Sequence, residues 1–215
     1  GKAFEEIYPN CKIKVNYQLD NAMYCTSDDV EMTDEFINKI KTRMTEIIND
    51  NLKIDKIELS REEAEKFYEK SHNSKGRLQV DLEENNIIYM YKCGEYYNYF
   101  YGEVATYTGL TKIFDIQKYS KGFLIRYPSA SSPDVLPEYK QTKKLAWALE
   151  EYDNIHKLLN VRTVYRLNKA VKENRIKDLI MIDEALHEKK IANIADKIAK
   201  RKGIKMILIA GPSSS

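Results

Sequence analysis

Ile54-Asp55-Lys56-Ile57-Glu58-Leu59-Ser60-Arg61-Glu62-Glu63-Ala64 changes character in its middle, and that change decides the fold class. Ile54 to Leu59 reads as a strand. Ser60 followed three residues later by Glu63 is a capping box, in which each side chain satisfies the other's orphan amide donor as a helix begins. A strand running straight into a capped helix, with further strands on both sides, predicts an α+β chain.

Upstream, Ile13 to Tyr17 alternates at period two, and Ala22 to Cys25 follows after Leu19-Asp20-Asn21, which predicts a hairpin. Phe36, Ile37, Ile40, Met44, Ile47 and Ile48 then fall on one face of a helix over Thr33 to Asp50, with Thr33 as N-cap and Met32 with Ile37 as hydrophobic staple. Downstream, beyond a polar break at Ser71 to Gly76, strands are expected at Asn86 to Lys92, Tyr96 to Tyr101, Lys112 to Gln117 and Gly122 to Tyr127, forming a mostly antiparallel sheet. Pro128 to Pro137 holds a serine-rich run between prolines that stop both helix and ladder. It is read as the linker, 129–137, after a first domain 1–128. Helices follow at Glu138 to Leu159, Thr163 to Glu173 and Ile176 to Lys202, a helical connector 138–203 ended by Gly203. Ile204 to Ala210, apolar but for Lys205, is a run of the kind a parallel sheet buries on both faces.

Composition limits the function. The 215 residues are 43% hydrophobic and 32% charged, an ordinary globular balance. No apolar run approaches the roughly 20 residues that span a bilayer, and no secretory signal is visible, so no membrane role and a cytoplasmic location are expected. Cys11, Cys25 and Cys93 show no paired spacing and read as reduced thiols. Glu138 to Ser215 carries 17 basic and 10 acidic residues, leaving the first part at −5 and the last at +7. Phosphate backbones are held by Lys and Arg, so the acidic front part is a poor general binder of nucleic acid.

Two stretches resemble known families. Glu184 to Lys200, followed by Ile207-Leu208-Ile209-Ala210-Gly211-Pro212-Ser213-Ser214-Ser215, resembles the approach to the kinase domain in bacterial uridine-kinase-like proteins. There a buried strand runs into a glycine-rich loop whose amides cradle phosphate. The resemblance implies that Gly211, Pro212, Ser213, Ser214 and Ser215 open a nucleotide-binding loop, and that 204–215 is the first strand and partial loop of a P-loop α/β kinase domain. On that expectation the parent polypeptide phosphorylates a nucleoside with ATP and Mg2+, and this chain alone, lacking the loop's lysine, holds neither cofactor nor catalytic residue.

The second resemblance rests on Ala3-Phe4-Glu5-Glu6-Ile7-Tyr8-Pro9, Met32 to Ile48, and Leu59-Ser60-Arg61-Glu62-Glu63-Ala64. Together these look like the second additional domain of threonyl- and alanyl-tRNA synthetases, over roughly 1–127. In the synthetases this is an editing domain that hydrolyses mischarged aminoacyl-tRNA with an HxxxH pair plus a downstream cysteine and histidine. The resemblance puts Phe100 at that cysteine and Val104 at that histidine, and the HxxxH pair upstream of Gly1. Neither Phe100 nor Val104 can ligate a metal or move a proton, so editing is expected to be lost and the front module to serve in sensing or assembly. The alternative function is a tRNA-binding or aminoacyl-tRNA-deacylating module, with tRNA as the second-ranked partner and an oligomer as a further option.

Other residues carry bland readings. Tyr89, Tyr91, Tyr96, Tyr97, Tyr99, Phe100, Tyr101 and Tyr107 are a base-stacking platform or, by β-preference, packing of a half-buried sheet, the latter favoured because Lys92 is the only cation from Tyr89 to Thr111. Cys93 with His72 is a weak substitute site. His156 and His187 lack ligand spacing, and no metal site is expected. Trp147 reads as an interhelical core anchor, and Lys189, Lys190, Lys197, Lys200, Arg201 and Lys202 as a solvated helix face or a phosphate neighbour.

Overall fold

Thr33 does what its position predicts: its hydroxyl accepts the Phe36 amide at 3.1 Å, and helix α2 runs from Asp34 to Asn49. The structure, a computed structural model, describes residues 1–70, 86–100, 102–209 and 211, the side chains of Glu69 and Lys70 excepted. The polar break at Ser71 to Gly76, His72, Tyr101, Ala210 and Pro212 to Ser215 lie outside the described residues. Packing divides the chain into two units, Gly1–Ile155 and His156–Ser215.

In the first unit, β1 (Lys14–Gln18) and β2 (Ala22–Thr26) form the expected hairpin, and β6 (Asp115–Tyr119) with β7 (Gly122–Arg126) forms another. β2 pairs antiparallel with β7, which joins them into one sheet of order β1-β2-β7-β6. Alternation then sends neighbours to opposite faces. Cys25 and Phe123 meet α1 (Lys2–Ile7) and α2 in a core with Phe4, Met32, Phe36, Ile40 and Ile116. Phe36 anchors it, its ring centroid 6.1 Å from Phe4, 5.5 Å from Tyr8 and 5.5 Å from Phe123. On the other face Leu19, Ala22, Tyr24 and Leu124 are covered by Tyr139 and by Ala146 and Leu149 of α4 (Lys143–Leu158). Arg126 fixes the approach to that helix by donating to the Pro137 carbonyl.

A second sheet, β3 (Asp55–Ser60), β4 (Ile87–Cys93) and β5 (Tyr96–Asn98), is also antiparallel. It flows into α3 (Arg61–Lys70) through the capping box: the Ser60 amide donates to Glu63 Oε2 at 2.8 Å and the Glu63 amide to Ser60 Oγ at 3.2 Å. The backbone amide of Ser60, and then its hydroxyl, hold the Glu63 carboxyl below its ordinary value of 4.5. A depressed folded-state value gives stability that is present above about 4.5 and lost as pH falls through the folded value. The thermal midpoint of the parent chain should therefore exceed that of Glu63→Gln near neutrality and converge on it in acid, as read by circular dichroism between pH 7 and 3. Thr108, in the 3-10 turn Thr108–Leu110, ties this region to α2 by donating to the Ile47 carbonyl at 2.6 Å and accepting the Leu52 amide at 2.9 Å.

In the second unit, α5 (Val164–Lys172) starts on Thr163, whose hydroxyl accepts the Arg166 amide at 3.3 Å, and α6 runs from Ile176 to Ala199. Asparagine closes three of the helices from a left-handed conformation: Asn51 after α2 (φ 48), Asn160 after α4 (φ 59) and Asn174 after α5 (φ 57). Behind two of them the next amide reaches back in a Schellman pattern, Val161 to the His156 carbonyl and Arg175 to the Ala170 carbonyl. Gly203, expected to end the last helix, lies four residues past Ala199, at φ 87.

Two expectations fail. Ile204 to Ile209 forms no strand: the segment is in no ladder and is exposed, Leu208 at 87% and Ile209 at 93%. A strand exists only with a hydrogen-bonding neighbour, and no described segment supplies one. Trp147 is 66% exposed rather than an interhelical anchor, because α4 turns Ala146 and Leu149 to the sheet instead. No described helix is long and apolar enough to cross a membrane.

Candidate nucleic-acid interface

Residues opposite each other in a ladder share a face. Ile57 with Met90 and Leu59 with Ile88 therefore share one face of the second sheet, which Ala64 and Tyr68 of α3 cover. The other face carries Lys56 with Tyr91, Glu58 with Tyr89 and Ser60 with Ile87, continued on β5 by Asn98 and Tyr96. It stays open. Ile87 is 50% exposed, Tyr89 45% and Phe100, just past β5, 49%.

The open face is ordered rather than merely bare. Lys56 Nζ stands 4.6 Å from the centroid of the Tyr89 ring, a cation on an aromatic face. Phe100 meets Tyr91 edge to face, centroids 6.2 Å apart, and the Tyr91 hydroxyl donates to the Gly102 carbonyl at 2.8 Å. That bond holds the stretch leading to Val104, which is half-buried. At the far end Asn98 Nδ2 donates to the Tyr96 hydroxyl at 2.9 Å, and burial pushes that hydroxyl up to about 12. The start of α1 abuts this edge, since a Cβ added at Gly1 would overlap the Tyr96 hydroxyl.

The structure thus brings Tyr89, Tyr91 and Phe100 together on one face and sends Tyr97 to the other, where it packs on Phe67 with centroids 3.8 Å apart and takes Lys92 over its ring at 5.2 Å. None of the described members of the aromatic run is fully buried. Tyr68, which the aromatic run does not include, supplies the buried ring under the sheet. Lys56 is the side chain of this face that sequence reasoning missed, because its place over Tyr89 depends on the register between β3 and β4. Cys93 is buried and desolvation raises its thiol above the ordinary value, the opposite of the shift that activates a thiolate. Its supposed partner His72 lies outside the described residues. No cluster of three metal-ligating side chains occurs among the described residues. A shallow depression bordered by Ile7, Asn38, Thr42 and Arg43 is lined by matched charge, with Arg43 Nε 2.7 Å from Glu6 and Lys39 paired to Glu35, and offers no reactive group.

An open face that carries exposed aromatic rings beside one cation, Lys56, and one carboxylate, Glu58, suits a planar ligand. Of the nucleotide loop expected at 211–215, only Gly211 is among the described residues.

No family model matches the chain. Among curated proteins, it is 36% identical over 114 residues to the threonine–tRNA ligase of Clostridium kluyveri, covering 52% of this chain and 18% of the relative. It is 33% identical over 118 residues to that of Clostridium acetobutylicum, and 34% over 114 to that of Clostridium tetani, again 18% of each relative. The chain thus spans about a fifth of the length of these relatives. These similarities correct the nucleoside-kinase expectation, its keywords and its nucleoside and ATP partners: the relatives are tRNA ligases. What the chain resembles, over half its length, is a part of threonine–tRNA ligase.

Proposed function

We propose that this chain is a synthetase-like module that binds the 3′ end of tRNA on the open face of β3-β4-β5 and does not hydrolyse what that end carries. The observation that supports it is the similarity to threonine–tRNA ligases, proteins whose name gives tRNA as a substrate. Tyr89, exposed and backed by Lys56, offers a ring on which an unpaired base stacks while the ammonium meets its phosphate. Phe100 and Val104 hold the positions that the synthetase resemblance assigns to a cysteine and a histidine. Hydrocarbon there packs against substrate but cannot ligate a metal or activate water. Such a module works in the cytoplasm, where tRNA is charged.

The test is fluorescence anisotropy of the full chain with tRNA and with the same tRNA trimmed of its single-stranded 3′ end. Intact tRNA should bind at least tenfold tighter, and Tyr89→Ala should lose roughly ten- to a hundredfold, the worth of about 1–3 kcal/mol for one stacked base. Equal affinity for intact and trimmed tRNA would sink the end-binding reading. Deacylation of seryl- or threonyl-tRNA above the solvent rate would sink its non-catalytic half.

A further inference from the structure

The module just described has the wrong sign for its partner. Gly1–Ile155 holds 21 basic and 27 acidic residues, whereas His156–Ser215 holds 14 basic and 6 acidic, a net +8 on 60 residues. That excess is patterned. On α6 and its C-terminal continuation, Lys189, Asn193, Lys197 and Lys200 follow at intervals of four, four and three, which places them in one stripe along the helix, with Arg201 beside it. Lys189, Lys197, Lys200 and Arg201 are all exposed. The opposite side of the same stretch is Ile191, Ile194, Ala195 and Ile198, so the cations are segregated rather than scattered. Asp196 lies within the stripe, one turn before Lys200, and offsets one of its charges; Glu188 faces away by helical angle. The stripe is about 16 Å long at 1.5 Å per residue, over which one strand of a duplex presents roughly five phosphates.

A second helix repeats the pattern. Arg166, Lys169 and Lys172 share one side of α5, while Val164, Leu167 and Val171 occupy the other. Compensation of the helix dipole accounts for a cation or two in the last turn, but Lys189 lies about ten residues before the end of α6 and Arg166 in the first turn of α5, where a positive charge opposes the dipole.

We infer that the α5–α6 unit is a sequence-independent binding surface for the phosphate backbone of double-helical RNA, with Lys189, Lys197, Lys200 and Arg201 as its contacts. It deepens the proposed function by naming which part of the chain supplies the affinity for RNA that the acidic first unit lacks, and it rests on that reading only for its choice of RNA as the polyanion. Affinity of this kind comes from released counterions, so it falls steeply with salt and ignores base sequence.

The experiment measures binding of the full chain to a blunt 12-base-pair RNA duplex, which has no single-stranded end, between 50 and 300 mM KCl. The parent chain should show a linear fall of log K with log[KCl]. The quadruple variant Lys189→Gln, Lys197→Gln, Lys200→Gln, Arg201→Gln should bind more than tenfold more weakly at 100 mM, with a slope smaller by about two to four. Glutamine preserves helix propensity, and circular dichroism verifies the fold. A second variant, with Lys66, Lys112, Lys118 and Lys121 of the first unit each changed to Gln, removes the same charge elsewhere and should bind as the parent does. The inference is overturned if the parent does not bind the duplex, if the quadruple variant binds like the parent, or if both variants weaken equally. It stands independently of end recognition: duplex binding lost in the quadruple variant, together with equal affinity for intact and trimmed tRNA, keeps this surface and removes the 3′-end site.

Discussion

Gly122→Ala should destabilise the chain by about 3 kcal/mol or more and lower its urea midpoint accordingly, because the added methyl has nowhere to go. A Cβ at Gly122 would overlap the backbone carbonyl oxygen of Cys25 and lie 2.9 Å from both Thr26 Cγ2 and Tyr24 Cε2. The oxygen belongs to β2, which pairs with β7 at this point, so relief requires the two hairpins to separate at the junction that makes them one sheet. Gly203→Ala is the informative contrast. Nothing lies within 4 Å of its Cβ position, and only its φ of 87 opposes a side chain, so the cost there is conformational, about 1–2 kcal/mol, and confined to a helix end. If Gly122→Ala shows an unchanged midpoint, the close approach of β2 and β7 is wrong.

Phe36→Ala carries the other large expected effect, a loss of about 3–5 kcal/mol. The side chain is 2% exposed and lies within ring contact of Phe4, Tyr8 and Phe123, so truncation leaves a cavity walled by three aromatic groups from α1, the segment after it and β7. Those walls belong to separate backbone segments, which limits collapse. Combining Phe36→Ala with Phe123→Ala should cost less than the two single losses added together, since the rings share one contact and one cavity. Chemical denaturation of the three variants measures this. Strict additivity, or a loss below about 1 kcal/mol for Phe36→Ala, would show that the ring is not the centre of that core.

Much of this architecture was legible because the signals are local. Thr33 and the Ser60–Glu63 pair announce helix starts through side chains that reach only three residues, and both bonds form as expected. The hairpin of β1 and β2 is legible for the same reason. What could not be read is which hairpin pairs with which: β2 finds β7 about a hundred residues away, and nothing in either strand names the other. The aromatic run shows the same limit in the site. Period two says that Tyr89 and Met90 point to opposite faces, but which face α3 covers is a tertiary fact, and it decides that Met90 is buried and Tyr89 open. Ile204 to Ile209 misled because a run of apolar residues reports appetite for burial, not a partner to supply it.

The asparagines at φ near 50 to 60 after α2, α4 and α5 have a consequence that lies outside the folded molecule altogether. Glycine enters that conformation without strain, yet it also gives the denatured chain many more conformations to forfeit on folding. Asparagine accepts a small steric cost in return for a denatured ensemble that is already narrower. With only eight glycines in 215 residues, the chain thus draws part of its stability from the restriction of its disordered competitor, which no contact within the folded structure displays.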